Sequence, residues 1–251
     1  MVAAEAGVFA LSGLLAAGAF FFLLGGAVKG ALGVGLPLVV VPLMSLLIPA
    51  PQAMGLLVVP VLLSNVWQAF QAGKLAHVRR FASLIAMQWL ATILAVHWSR
   101  DWSVERFNML LALAVLAAVL LMVLRPSGRL SERQERWASP LAGFAAGVMA
   151  GVSSIAGPVL ISYLMALRLG REEFVGSISL LYLFAAVPMY GAMLWWGRFG
   201  WVEVGWSVVA LGPVFLGMLA GTALRRRLSE AVFRRLLLAF LSVLALFLLF
   251  K

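Results

Sequence analysis

The chain has 251 residues, of which 64% are hydrophobic and only 11% are charged, whereas soluble domains are roughly half apolar and a quarter charged. This composition excludes a water-soluble globular domain. The 19 Lys and Arg outnumber the 9 Asp and Glu, but they stand in short loops between apolar segments, where basic residues set membrane orientation rather than bind nucleic acid.

Apolar segments follow one another through the first half of the chain. A helix needs about 20 residues to cross a bilayer, so the runs between charges predict membrane segments. We take the first segment as a retained span rather than a signal peptide. A signal peptide begins with basic residues, whereas the acidic Glu5 and no basic residue stands ahead of this segment. Residues 1–124 are the first predicted repeat, with a hairpin at 8–49, made of segments 8–28 and 31–49, and spans at 52–71, 81–98 and 107–124.

A polar linker at 125–140 separates this repeat from the second, which covers 141–251. The stretch 141–168 holds about 28 residues, too few for two crossings, so it is either one long span or a re-entrant hairpin. Three further spans follow it. The second-repeat segments lie at 141–154, 157–168, 174–196, 204–223 and 236–250.

The distribution of basic residues decides between these two topologies. With a hairpin at 141–168, four loops that hold most of the 19 Lys and Arg share one side of the membrane. A single crossing would instead place the five arginines at 225–235 on the outer side, against the positive-inside tendency. We therefore predict the hairpin and four cytoplasmic loops, at 72–80, 125–139, 168–173 and 224–235.

The two halves open with similar strings, GGAVKGALGVGLP and AGVMAGVSSIAGP, which align when Pro37 is set against Pro158. The sequence thus predicts an all-α membrane protein, a polytopic helical bundle of two inverted-topology repeats, each a broken or re-entrant helix hairpin followed by three transmembrane helices. Paired Gly- and Pro-interrupted helices indicate a transporter binding site near the membrane midplane. The alternative is that the glycines form two helix-packing faces with small-xxx-small spacing.

The helix breaks are the first candidate site. Glycine and proline free backbone groups from helical pairing, and such groups persist at membrane depth only when they are buried in protein or face a wet cavity. A helix that restarts at the break points its positive end toward it, which suits an anion. The predicted backbone contacts with substrate are Gly30, Gly33, Gly35, Pro37, Gly157 and Pro158.

Lys29 is the one basic residue deep in an apolar stretch. A charge inside the membrane costs at least ~2.5 kcal/mol, so it needs a partner or a purpose, and either substrate binding or snorkelling to the interface would answer that need. Asn65 and Gln68 share a helix face and could bind oxyanion oxygens or join neighbouring helices. Ser153 and Ser154 stand at the second break and are the predicted hydroxyl donors there.

The sequence offers no parts for catalysis. It has no Cys, no metal-ligand spacing, no Ser/His/Asp set and no phosphate-binding glycine loop. The predicted spans hold no Asp or Glu, so a buried carboxylate relay for protons is not expected. We predict that the chain is not an enzyme, has no catalytic or metal-binding residues and needs no cofactor.

Two segments, GGAVKGALGVGLPLVVVPLM at 25–44 and AGFAAGVMAGVSSIAGPVLISYLMALRLG at 142–170, resemble the paired glycine-rich signatures of the sulfite exporter TauE/SafE family, also called the toluene-sulfonate uptake permease family. LLSNVWQAFQ is similar to that family too. Members often show three consecutive glycines where this chain reads Gly35, Leu36, Pro37. The resemblance implies a bacterial inner-membrane carrier of sulfite, sulfonates, sulfoacetate or a similar anion.

The predicted function is secondary transport of a small sulfur-containing anion by alternating access, with the site between the two hairpin tips. An anion channel and a non-transporting membrane assembly or scaffold protein are the alternatives. The expected partners are the anion and the lipid bilayer, and nucleic acid is not among them. H⁺ or Na⁺ as a coupling ion, and a homodimer, are left open.

Overall fold

The computed structural model describes residues 2–71, 78–124 and 130–225, together with Ala239 and Ser242. The predicted span 236–250 and most of the predicted loop 224–235 therefore lie outside the described residues. Within the described ranges the chain forms eleven α-helices. They are α1 (Val2–Leu32), α2 (Leu36–Met44), α3 (Ala50–Gly55), α4 (Val58–Gln71), α5 (Ala82–Trp98), α6 (Val104–Leu124), α7 (Glu132–Ser153), α8 (Gly157–Ala166), α9 (Arg171–Trp195), α10 (Trp201–Val209) and α11 (Leu211–Arg225).

Several of these helices have the length and composition of membrane spans. Three segments qualify alone, Ser12–Leu32, Ala50–Phe70 and Gly176–Trp195, and a fourth is formed if α10 and α11, bent by 42°, are taken as one span. Large apolar side chains such as Phe70 are exposed on the outside of the bundle, as expected of surfaces that contact lipid. The prediction of an all-helical, multi-pass membrane protein is confirmed for the described residues.

Prolines divide two of the predicted spans. Segment 52–71 consists of α3 and α4, and segment 204–223 lies within α10 and α11. Proline has no N–H to donate to the carbonyl four residues earlier. Pro60 therefore leaves the ladder open at Leu56, and Pro213 leaves it open at Val209, which are the points where the helices separate.

The predicted linker 125–140 is helical from Glu132 onward. Ser131 caps α7, because its side chain accepts a hydrogen bond from the Gln134 N–H while the Gln134 side chain accepts one from the Ser131 N–H. This reciprocal capping box satisfies two amides that a helix start otherwise leaves free. The charged residues after the cap therefore form the start of a helix, although their polarity alone predicts a linker.

Helix α2 folds back along α1. A Cβ placed on Gly25 would lie 2.4 Å from Val40 Cγ2, and one on Gly18 would lie 3.9 Å from Met44 Sδ. The contacts move in opposite directions along the two helices, which makes an antiparallel hairpin. Its turn comes after Leu32, at residues 33–35, because α1 continues through the predicted boundary between segments 8–28 and 31–49.

Helix α8 folds back along α7 in the same way. The Leu130 N–H donates to the Ala166 carbonyl at 3.1 Å, and the Ser139 and Tyr163 hydroxyls share a hydrogen bond. At 1.5 Å per residue, the nine residues of α2 and the ten of α8 extend roughly 14 and 15 Å, about half of the hydrocarbon core of a bilayer.

Glycines bring two pairs of helices into backbone contact. A Cβ on Gly26 would lie 2.3 Å from the Val214 carbonyl oxygen, and one on Gly30 would lie 2.2 Å from that of Met218. These pairs advance together, so α1 and α11 are parallel. Helices α7 and α5 meet likewise at Gly143–Leu84, Gly147–Gln88 and Gly151–Thr92. The helix-packing reading of the glycine spacing therefore applies to these positions.

Candidate functional site

The two hairpin turns have the same length and equivalent positions. Residues 33–35 separate α1 from α2, and residues 154–156 separate α7 from α8. Adding 121 to the residue numbers of the first turn gives those of the second, and the same holds for the helix starts that follow. Gly33 and Ser154, equivalent under this shift, have φ angles of +80° and +61°. A serine in this left-handed region is uncommon and is held by its surroundings.

A partly enclosed cavity lies between the turns. Its walls come from both turns, from the first turns of α2 and α8, and from α4 and α9. About 60 Å³ is open to the centres of water-sized molecules, whereas one water needs only ~10–15 Å³ by this measure. The cavity therefore has room for a small molecule of a few non-hydrogen atoms.

Lys29 is the charged group of this cavity. Its side chain is 2% exposed, and its Nζ donates a hydrogen bond of 2.8 Å to Oδ1 of Asn65, which is 1% exposed. Neutral amide oxygen is the partner, and no Asp or Glu is among the described residues that line the cavity. The ammonium is thus buried with a hydrogen bond but without a counter-charge from the described cavity wall.

Two tyrosines of α9 add hydroxyl groups to the wall, beside that of Ser154. Tyr190 is 4% exposed, and its hydroxyl lies near Ser154 yet makes no hydrogen bond of good geometry within the described part of the chain. The Tyr182 hydroxyl lies against Gly157, where a Cβ would be 2.6 Å from it. Both hydroxyls can donate to a bound oxygen atom, since they need no change of charge to do so.

The structure brings seven of the eleven residues predicted for the site to this cavity. They are Lys29, Gly35, Pro37, Asn65, Ser154, Gly157 and Pro158. Gly157 has a steric reason to be glycine, because the Tyr182 hydroxyl occupies the space of a side chain. Pro37 and Pro158 stand in the first turns of α2 and α8, where a missing N–H costs nothing.

The other four predicted residues lie outside the cavity wall. Gly30 packs on the Met218 backbone, and a Cβ on Gly33 would meet nothing within 4 Å. Gln68 accepts a hydrogen bond of 3.3 Å from Ser179. The Ser153 hydroxyl donates to the Met149 carbonyl at 2.7 Å, which is a bond within its own helix.

Sequence reasoning missed Tyr190 as a site residue. Its polar hydroxyl within the apolar segment 174–196 was a usable signal, because tyrosines buried in membrane helices need a hydrogen-bond partner. The sequence could not indicate, however, that this face of α9 is turned toward the cavity.

Arg80 joins three helices at one end of the bundle. Its Nε lies 2.8 Å from Glu135 Oε1 of α7, and its Nη1 lies 3.5 Å from Glu173 Oε1 of α9. The hydrogen bond to Glu135 raises the pKa of the Arg80 guanidinium. Arg80 stands two residues before the start of α5, so the beginnings of α5, α7 and α9 lie together.

Arg198 joins helices at the end where α5 and α9 terminate. Its Nη1 donates to the Ser99 carbonyl at 2.8 Å and to the Arg100 carbonyl, and its guanidinium lies 4.3 Å from the centre of the Phe107 ring. Partial burial lowers the pKa of Arg198. Neither this contact nor that of Arg80 reaches the cavity, so the charged groups of the ends are separate from Lys29.

Comparison with known proteins gives one match. The family model described as sulfite exporter TauE/SafE matches residues 17–248, nearly the whole chain. No curated protein matches the chain, and no solved structure does.

Proposed function

The chain belongs to the sulfite exporter TauE/SafE family of membrane transporters, and from this premise we propose that it is a secondary transporter that binds a small sulfur-containing anion in the cavity between its two hairpin turns. The observation that carries the proposal is the buried Lys29 ammonium, which has a neutral hydrogen-bond partner and no acidic side chain beside it among the described residues. A buried charge without a counter-charge is costly. A bound anion would supply the missing counter-charge.

The helix starts at the cavity favour the same ligand. The first turn of a helix leaves N–H groups without intrahelical partners and carries a partial positive charge. Helices α2 and α8 both begin at the cavity. An anion between them would meet two such helix ends and the Lys29 ammonium, with hydrogen bonds from Asn65 and Ser154.

The proposed architecture is the inverted repeat. Under the shift of 121 residues, α1 corresponds to α7, and α5 corresponds to the region of α10 and α11. The parallel pair α1–α11 is then the counterpart of the parallel pair α7–α5. In each pair the first helix of one half packs against equivalent helical positions, which supports two structurally equivalent halves. Each half would enter the membrane from the opposite side as a hairpin that reaches about halfway across, as in carriers with a midplane site.

Alternating access would open the two ends of the bundle in turn. The Arg80 contacts, which join the predicted cytoplasmic segments 72–80, 125–139 and 168–173, would hold the inner end closed. The Arg198 contacts would hold the outer end closed. Because both sets are present at once, the described conformation corresponds to a state closed at both ends.

Arg80→Gln is expected to favour opening at the inner end, because the neutral amide cannot pair with Glu135 and Glu173. Ala186→Cys serves as a reporter within the cavity, since the chain has no Cys of its own. Thiol labelling by an impermeant reagent from the cytoplasmic side should accelerate by up to about fivefold, the effect of roughly 1 kcal/mol from partly exposed ion pairs.

The matched control for this labelling experiment is Arg100→Gln. Within the described part of the chain, the Arg100 side chain forms an ion pair with its neighbour Asp101, so its loss should not change the labelling rate. Equal acceleration in both variants, or none in Arg80→Gln, would contradict the assignment of Arg80 to the inner closure.

The proposed function is tested with the purified protein in liposomes. We expect uptake of one or more of sulfite, thiosulfate, sulfoacetate, taurine or an aryl sulfonate, and faster uptake when the same anion is preloaded on the opposite side. Flux far above carrier rates without this acceleration would indicate a channel. Absence of any flux, together with no rise in melting temperature on adding these ligands, would favour the scaffold. H⁺ or Na⁺ as a coupling ion, and a homodimer, stay open.

A further inference from the structure

The two halves of the chain contribute different side chains at equivalent positions of the cavity. Under the shift of 121 residues, Lys29 corresponds to Ala150 and Asn65 corresponds to Ala186. All four residues line the cavity. Their side chains are buried, at 2% and 1% exposed for the polar pair and 2% and 3% for the two alanines. The first half therefore contributes an ammonium and an amide where the second half contributes two methyl groups.

Lys29 is the one basic side chain among the described residues that line the cavity. Apart from Lys29, its side-chain polar groups are the amide of Asn65 and the hydroxyls of Ser154, Tyr182 and Tyr190, and the rest of the wall is apolar. These neutral groups can donate hydrogen bonds but cannot cancel a full charge. Lys29 is therefore the one full positive charge in the described cavity wall, beside the partial charges at the starts of α2 and α8.

We propose that the cavity selects singly charged anions over doubly charged ones, with the charged group at Lys29 and Asn65 and an uncharged end toward Ala150 and Ala186. This inference rests on the proposed function and narrows its substrate class. The second charge of a dianion would meet no full positive charge there, only hydrogen bonds and the partial charges of the two helix starts. An aryl sulfonate and the hydrogensulfite form of sulfite meet the requirement, whereas thiosulfate and sulfoacetate, which carry two negative charges each, do not.

Methanesulfonate and sulfate form the matched pair of ligands for the test. Both are tetrahedral at sulfur and have five non-hydrogen atoms, but one carries a single charge and the other carries two. Binding of each to the purified wild-type protein is measured by calorimetry, and uptake is measured in liposomes. We expect sulfate to bind about 100-fold more weakly or worse, on the scale of an uncompensated charge at membrane depth.

Ala150→Lys tests the asymmetry directly. It places a second ammonium at the position equivalent to Lys29, and Ala186→Asn adds the matching amide. The double variant is expected to reverse the preference, so that sulfate binds more tightly than methanesulfonate. A melting curve verifies that the variant is folded, and the comparison of ligands in the wild type remains decisive if it is not.

The outcomes separate this inference from the function on which it rests. Preference for methanesulfonate in the wild type supports monoanion selection. Equal or tighter binding of sulfate overturns it while leaving anion transport intact. Failure of both ligands and of sulfite to bind or to move overturns the proposed function, and the inference with it.

Discussion

Replacement of Lys29 by methionine is expected to reduce anion uptake by at least about 100-fold while leaving the melting temperature of the purified protein unchanged or higher. Methionine fills a similar volume and removes a buried ammonium that has only the amide of Asn65 as partner. Replacing a buried charge by an apolar group is often neutral or stabilising. A residue retained for binding should therefore lose function and keep stability.

The measurement is uptake in liposomes beside a thermal melt in detergent, each with and without ligand. The ligand-dependent rise in melting temperature should disappear in Lys29→Met, because the anion loses its counter-charge. Asn65→Leu is the companion variant. It leaves the ammonium without its hydrogen-bond partner, so it should lower the melting temperature as well as weaken uptake. Wild-type uptake by Lys29→Met would remove Lys29 from the mechanism.

Gly217→Ala is expected to disrupt the folded protein. A Cβ at this position would lie 2.0 Å from the Leu23 carbonyl oxygen, and backbone cannot move aside as the end of a flexible side chain can. Helices α1 and α11 would have to separate along their shared seam. Overpacking of this kind costs about 1–3 kcal/mol or more, so the yield of monodisperse protein and its melting temperature should both fall.

The control is Gly212→Ala on the same helix, where an added Cβ meets nothing within 4 Å. This variant should melt within a degree or two of the wild type, since alanine has the higher helix propensity. If Gly217→Ala were as stable as Gly212→Ala, the close approach of α1 and α11 would be contradicted. The pair also separates packing from binding, because neither glycine lines the cavity.

The sequence marks the candidate site where the cause is local. At the first break, Gly35 has a φ of +102°, which favours glycine. At both breaks a proline stands in the first turn of the next helix, Pro37 in α2 and Pro158 in α8. The buried charge was equally visible, because Lys29 is flanked by apolar residues on both sides.

The sequence carries less information about the candidate site where the cause is a neighbouring helix. Lys29 and Gly30 are adjacent, yet side chains one residue apart on a helix diverge by about 100°. Lys29 therefore faces the cavity while Gly30 faces Met218 of α11. Nothing within the segment indicates which of these two directions leads to substrate.

From the sequence alone we predict a membrane environment, an all-helical fold and interruptions near Pro37 and Pro158, but not the breaks within 52–71 and 204–223. Hydrophobic length, proline's missing N–H and glycine's freedom at positive φ are properties of residues and their immediate neighbours. Its family resemblance is confirmed by a match over residues 17–248. The fold class could therefore be read before any contact was known.

Only the tertiary structure decided which residues meet. Lys29 and Asn65 are 36 residues apart and join α1 to α4, Tyr190 faces the cavity from α9, and Arg80 connects three helices. Such pairings depend on how whole helices are rotated and packed against one another, which is set by contacts summed along their length. A single chain segment does not contain that information, because each helix face acquires its role from the helix that packs on it.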